Sequence, residues 1–257
     1  MIRYLSLLLI FGLSYSQGGG YALNFSESNH VDIGNVLNFT YNDQWSIAYW
    51  FKVSSGEGMM VANRAACDAG AGSSGCHRGY SLYLGSTLDF YFINTWASNM
   101  LVLKIDESFQ DGSWHYAVVT HDGSSDESGV NLYIDNVLKE HSVHTNNLSS
   151  TTVNTLPLRI GGNGESSGGS GMIDEVRVWD DVRTLAEIQA NMHIDLAGSE
   201  SNLVAYYKMS NGSGTSLTDN SSNSYTGTLT NMDNNDWITS QAPIGDLNSS
   251  YETDVEG

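Results

Sequence analysis

Short runs of alternating apolar and polar residues, rich in aromatic and β-branched side chains, constrain this chain more than any other feature. Trp45 to Val53 (WSIAYWFKV), Leu88 to Ile93, Met100 to Ile105, Trp114 to His121, Val130 to Asp135, Leu156 to Ile160 and Met172 to Trp179 all repeat with a period near two. Successive strand side chains point to opposite faces, so this period is what a half-buried sheet requires. Gly, Asn, Asp and Ser punctuate the runs, and Asp135-Asn136 suits a tight turn because both tolerate a left-handed backbone. Many short strands at even spacing predict an all-β, two-sheet antiparallel sandwich or jelly roll. Trp45, Trp50 and Trp114 fall in strands among apolar residues and are expected in the core. The pattern breaks once. Thr184-Leu185-Ala186-Glu187 is a capping box, in which the Thr hydroxyl and the Glu carboxylate close a helix start. Leu185, Ile188 and Met192 follow at helical spacing, predicting one short helix over about 185–193 on the sandwich edge.

The chain divides into four expected segments. Residues 1–16 read as a signal peptide: Arg3 supplies a positive start, Leu5 to Leu13 is apolar, and Ser14-Tyr15-Ser16 offers small residues for cleavage. The apolar run is too short to cross a bilayer, so secretion without membrane insertion is expected. Residues 17–200 form the main β domain. Residues 201–245, from the LVAYYKM run through SNGSGTSLTDNSSNSYTGTL, form a β extension packed on or following it. Residues 246–257 are polar and acidic, fitting a disordered tail or a linker into a larger surface protein. In an exported chain, Cys67 and Cys76 in CDAGAGSSGC are expected to form a local disulfide. The formal net charge of −19, with no basic stripe, argues against nucleic acid and anionic membranes. It suits hard cations such as Ca²⁺.

Residues 171–188 (GMIDEVRVWDDVRTLAEI) resemble the strand-plus-helix signature of laminin-G-like and pentraxin domains. Three more stretches resemble the same domains in order: Ala22-Leu23-Asn24-Phe25 with His30-Val31-Asp32-Ile33, then Trp114-His115-Tyr116-Ala117-Val118-Val119, then Asn131 to Leu138, with Asn136 where the family usually has Gly. Residues 203–230 resemble a tail that follows such domains in secreted multidomain bacterial proteins. The resemblance covers about residues 21–195 and implies a concanavalin A-like jelly roll that often holds Ca²⁺ and binds sugars, glycoproteins or other extracellular surfaces. It places Asp174 as a Ca²⁺ ligand, with Ser26 and Glu27 from the first loop as partners, although the family more often has Asp-Gly there. The alternative role for Asp174 is that of a backbone hydrogen-bond acceptor.

Asp219, with Asn220 and Asn223, offers a second cation loop or an ordinary Asx turn. Trp96 sits in the polar stretch Asn94-Thr95-Trp96-Ala97-Ser98-Asn99, where a Trp flanked by amides could stack on a sugar while Asn94 and Asn99 reach its hydroxyls. Tyr80 and Tyr83 are expected to line the same surface. The glucanases of this superfamily carry E-x-D-x-x-E on one strand, and no segment here reads that way. Asp174 and Glu175 are adjacent, which on a regular strand puts them on opposite faces. Three functions remain: a lectin-like or adhesive module for an extracellular glycan or glycoprotein, a glycoside hydrolase or lyase with dispersed carboxylates, and a structural spacer.

Overall fold

The computed structural model describes residues 20–26, 28–64, 77–162 and 170–245. In chain order its strands are β1 (Tyr21–Phe25), β2 (His30–Gly34), β3 (Trp45–Lys52), β4 (Gly58–Asn63), β5 (Gly79–Leu84), β6 (Leu88–Thr95), β7 (Asn99–Ile105), β8 (Trp114–His121), β9 (Val130–Ile134), β10 (Val137–Leu138), β11 (Ser142–Asn146), β12 (Leu158–Ile160), β13 (Gly171–Trp179), β14 (Leu203–Tyr207), β15 (Ser216–Leu217), β16 (Gly227–Thr230) and β17 (Trp237–Thr239). The single α-helix among the described residues, α1, covers Leu185–Asn191. Thr184 and Glu187 close its start with the expected capping box. The signal segment, Glu27, Cys67, Cys76 and the tail from 246 lie outside the described residues.

Two antiparallel sheets make the sandwich. The eight-stranded sheet runs β10-β9-β8-β3-β13-β1-β17, with β14 also paired to β13. The nine-stranded sheet runs β11-β7-β6-β5-β4-β12-β2-β16-β15. The inward residues expected from the period-two runs meet between them: Ile47, Tyr49 and Phe51 of β3 and Ile173, Val176 and Val178 of β13 share one buried cluster with Phe90, Phe92, Leu101 and Leu103 from the other sheet. Trp45 sits among Phe39, Tyr80, Phe90 and Phe92, with ring centroids 5.4–5.9 Å apart. Asp135 and Asn136 both take positive φ (52° and 65°) and turn β9 into β10.

The residues after the helix share both sheets rather than lying on them. β14 extends the pairing of β13, β16 pairs with β2, and β17 pairs with β1. A boundary at residue 200 therefore cuts through paired strands. A second apolar cluster explains why the outer face of the eight-stranded sheet is closed. Trp50, Tyr116, Trp179 and Tyr206 point away from the sandwich core and pack under Ile188 of α1, its C-cap Met192, Leu196, Ala242 and Ile244. No helix among the described residues is long and apolar enough to cross a membrane.

One local feature overturns the period-two expectation. On β13, Asp174 pairs with Trp50 and Arg177 with Ala48, so three steps on one strand match two on the other. The extra residue is a bulge, and Glu175 within it has φ 53°. Ile173 and Val176 still face the sandwich core. Asp174 and Glu175 both leave the strand toward the outer face instead of opposing one another.

Candidate functional site

The two outer faces hold the candidate residues, and they are built differently. On the eight-stranded sheet, the bulge delivers its acids into a dense network. Arg177, fully buried, donates through Nη2 to Glu175 Oε2 at 2.5 Å and to the Ile194 carbonyl at 2.7 Å, and through Nη1 to the Asn191 carbonyl at 2.6 Å. The Tyr206 hydroxyl donates to the same Glu175 oxygen at 2.5 Å. Burial pushes the Glu175 carboxyl up while Arg177 and Tyr206 pull it back. Asp174, only 3% exposed, accepts from the Glu175 N–H at 2.8 Å and bonds Ser240 Oγ. Loss of hydration raises its carboxyl well above the ordinary range. Beside it lies a cavity of about 130 Å³ lined by Asp174, Glu175, Asp195, Lys208, Ser210 and Ser240 among others, and Lys208 neutralises Asp195 at 2.6 Å.

Of the expected Ca²⁺ set, Glu27 lies outside the described residues, and Ser26 and Asp174 are not brought together. Phe25 pairs with Gly171 and Leu23 with Ile173, so Ser26 lies about four rungs from Asp174, roughly 13 Å along the ladder. Ser26 instead closes the β1–β2 turn with Asn29. Both Asp174 oxygens already hold partners, Oδ1 the Glu175 N–H and Oδ2 the Ser240 hydroxyl. Asp219 is a backbone staple. Its oxygens accept from the N–H groups of Tyr206, Ser221 and Tyr225 at 2.8–2.9 Å and from Ser221 Oγ. Asn220 and Asn223 bond β14 through the Tyr206 and Val204 carbonyls. Among the described residues no group of three or more His, Cys, Asp or Glu could hold a metal ion.

On the nine-stranded sheet, β6 and β7 meet at a tight turn. Ala97 takes φ 62° there, and this holds Trp96 outward at 46% exposure. Its ring lies 6.1 Å from Tyr91 at an interplanar angle of 26° and 4.7 Å from His77. Tyr91 comes from β6 on the side opposite Phe90 and Phe92, packs against Ile93, Met100 and Val102, and bonds Asp89. Register places Tyr83 on this face too, opposite Asp89. Burial and a hydrogen bond to Glu57 push its hydroxyl up to about 12. Arg64, directly after β4, sets its guanidinium carbon 4.7 Å over the Tyr91 ring.

One expected ligand residue, Tyr80, is corrected. Tyr80 is buried in the sandwich core, because its position on β5 faces inward, and its hydroxyl donates to Leu37 O at 2.9 Å. Asn94 and Asn99 flank Trp96 as expected, but their amides hold the neighbouring segment instead of standing free. Asn94 donates to Thr151 O at 2.5 Å, and Asn99 exchanges bonds with Ser149. Arg64, His77 and Tyr91 carry this site and were not singled out by sequence. The only available signal was a lone cation at a strand end in an acidic chain.

The model of the concanavalin A-like lectin/glucanases superfamily, laminin-G type, matches residues 25–189, and the chain belongs to that family. A comparison with curated protein sequences finds no match. Among solved structures, a Bacteroides ovatus protein whose assigned role is carbohydrate binding aligns at TM-score 0.62 and 16% identity, covering 88% of this chain. The chain spans 61% of that protein. The carbohydrate-binding module CBM40 of a Ruminococcus gnavus IT-sialidase, bound to α2,3-sialyllactose, aligns at 0.50 and 13% identity, covering 67% of this chain and 98% of its own. At these identities the likeness is one of fold.

Proposed function

We propose that the chain is a secreted carbohydrate-binding module that seats an extracellular glycan beside the β6–β7 turn, with Trp96 as the stacking platform. The observation that carries this reading is the exposure of Trp96 on a built support. A large aromatic ring normally turns into a core to escape water. Here it stands out on Tyr91 and His77. Sugar rings present an apolar C–H face that such a platform accepts, with nearby polar groups fixing orientation. The carbohydrate-binding roles given to the two fold neighbours agree with it. So does the charged, apolar, small order of residues 1–16, which supports export to where glycans and glycoproteins are met.

The acids beside α1 favour this reading over a hydrolytic one, since Glu175 is committed to Arg177 and Tyr206 and Asp174 to Ser240. A glycan array probed with the whole chain and with Trp96→Ala, each with and without Ca²⁺, tests the proposal. Wild type should retain a defined set of glycans that the variant loses. Equal retention by both refutes the site, and the Ca²⁺ arm reads metal dependence separately.

A further inference from the structure

We infer that the glycan taken beside Trp96 is acidic, and that Arg64 is the residue that receives its carboxylate or sulfate. This deepens the reading above and rests on it. Five other cations of the chain, Lys104, Lys139, Arg177, Arg183 and Lys208, each have a carboxylate within 3.4 Å. Arg177 and Arg183 leave only Nε unbonded, having engaged carboxylates through their terminal nitrogens. Arg64 differs. It is 7% exposed, its Nε and Nη1 are buried with no hydrogen-bond partner among the described residues, and its guanidinium lies over the Tyr91 ring. In a chain with 29 acidic residues and a net charge of −19, no carboxylate among the described residues neutralises this buried guanidinium.

A buried cation without a counter-charge is costly, and a ring face recovers a fraction of what a carboxylate supplies. Loss of hydration lowers the Arg64 pKa to about 10, with Tyr91 as the one group that pulls it back up, so the cation survives at neutral pH. The neighbouring His77 is held below its ordinary value by burial and then by Arg64, so it stays neutral and adds no competing charge. Its Nδ1 is likewise buried without a partner. Tyr91 links the two halves, since Trp96 stacks on it and Arg64 covers it. One ring, Tyr91, thus separates the stacking platform from the guanidinium, within the span of an oligosaccharide, and the planar fork of Arg64 matches a carboxylate or sulfate. The nearby Asp89, bonded to the Tyr91 hydroxyl, already has Lys104 as its cation at 3.4 Å, and repulsion from carboxylates beyond about 8 Å is screened at physiological salt.

The test titrates the whole chain with probes matched except for charge: 3′-sialyllactose against lactose, lactose 3′-sulfate against lactose, and oligogalacturonate against its methyl ester. The acidic member of at least one pair should bind about tenfold tighter or more. The sialyl, galacturonate and sulfate arms separate carboxylate from sulfate. Arg64→Met should bring that ratio close to one while the melting temperature holds or rises, since the variant removes an unpaired buried charge. Arg64→Lys should keep part of the preference. If neutral glycans bind through Trp96 and Arg64→Met leaves the acidic-to-neutral ratio unchanged, the inference fails and the glycan reading stands. A melting temperature several degrees lower in Arg64→Met marks Arg64 as structural and also overturns it. No binding by any probe, with Trp96→Ala indistinguishable from wild type, overturns both.

Discussion

The two sheets carry one buried arginine each on their outer faces, and the two are treated in opposite ways. Arg177, on the eight-stranded sheet, is roofed by α1 and the 240–245 segment and has a carboxylate and two carbonyls as partners. Arg64, directly after β4 of the nine-stranded sheet, has an aromatic ring and, among the described residues, no carboxylate. Burial is similar, so burial does not set the roles apart. What differs is completeness. A network whose donors and acceptors satisfy each other holds the fold together and offers a ligand little. A charge whose partner is missing costs the free protein stability that a ligand can restore. The comparison assigns architecture to the first face and recognition to the second.

The same substitution on the two faces breaks or confirms that assignment most sharply. Arg177→Met strands the buried Glu175 carboxylate and two carbonyls, and should cost about 3–5 kcal/mol in urea unfolding. Arg64→Met should cost nothing measurable. Equal losses would erase the distinction. Asp219→Ala extends the test to the loop that clamps β14. Three backbone N–H groups lose their acceptor, and about 2–3 kcal/mol of stability should go with them. Amide hydrogen exchange at Tyr206 and Tyr225 should quicken before the rest of the sheet. Unchanged exchange there would mean that Asp219 is not the clamp.

How far the sequence foretold these two faces follows from what each depends on. The period-two runs and the Thr184–Glu187 box are local; each named run contains a strand and the helix starts at Leu185 as expected, although it ends at Asn191 and strands such as β4, β5 and β11 carried no such signal. Trp96 was legible for the same reason, since a Trp between amides in a turn is a local pattern. The register of β13 was not. Its bulge arises from pairing with β3, whose partner residues lie over a hundred positions away, and it turned Glu175 from an opposed residue into the partner of Arg177. Tyr80 went astray similarly: its strand was uncharted, so its inward face could not be told from Tyr83's outward one. Arg64 is significant because of what does not surround it, and that is a property of the folded neighbourhood alone.

Trp96→Ala probes the open face from its other end. The variant should lose about 2 kcal/mol of glycan affinity, roughly thirtyfold, as truncated central Trp residues do at binding sites. Stability should fall by no more than about 1 kcal/mol, the value of the ring contacts with Tyr91 and His77. Calorimetric titration and thermal melts on the same samples give both numbers. A stability loss exceeding the affinity loss would place Trp96 with the architecture and move recognition elsewhere.

Asp174→Asn has the smallest expected effect and tests the covered face most finely, because two accounts of this residue give opposite signs. As a Ca²⁺ ligand, Asp174 would be ionised, and Asn would abolish a Ca²⁺-dependent rise in melting temperature. As the structure places it, the carboxyl is buried beside Ser240 and the Glu175 N–H, and loss of hydration raises its pKa in the folded state above the ordinary 3.8. A raised acid pKa means that the folded state holds the proton more tightly than the unfolded one. The group's contribution to stability is then fully present below about pH 3.8 and is lost as pH rises through the folded pKa. Asn imitates the protonated form at every pH. The variant should therefore melt level with or above wild type at pH 7, by something on the order of 1 kcal/mol. The gap should close as both are titrated toward pH 4, and neither melt should respond to Ca²⁺ or to a chelator. A variant that melts lower at pH 7, or a wild-type Ca²⁺ response that Asn removes, would show a charged Asp174 serving an ion. The covered face would then hold a binding site of its own, and the contrast with Arg64 would fall.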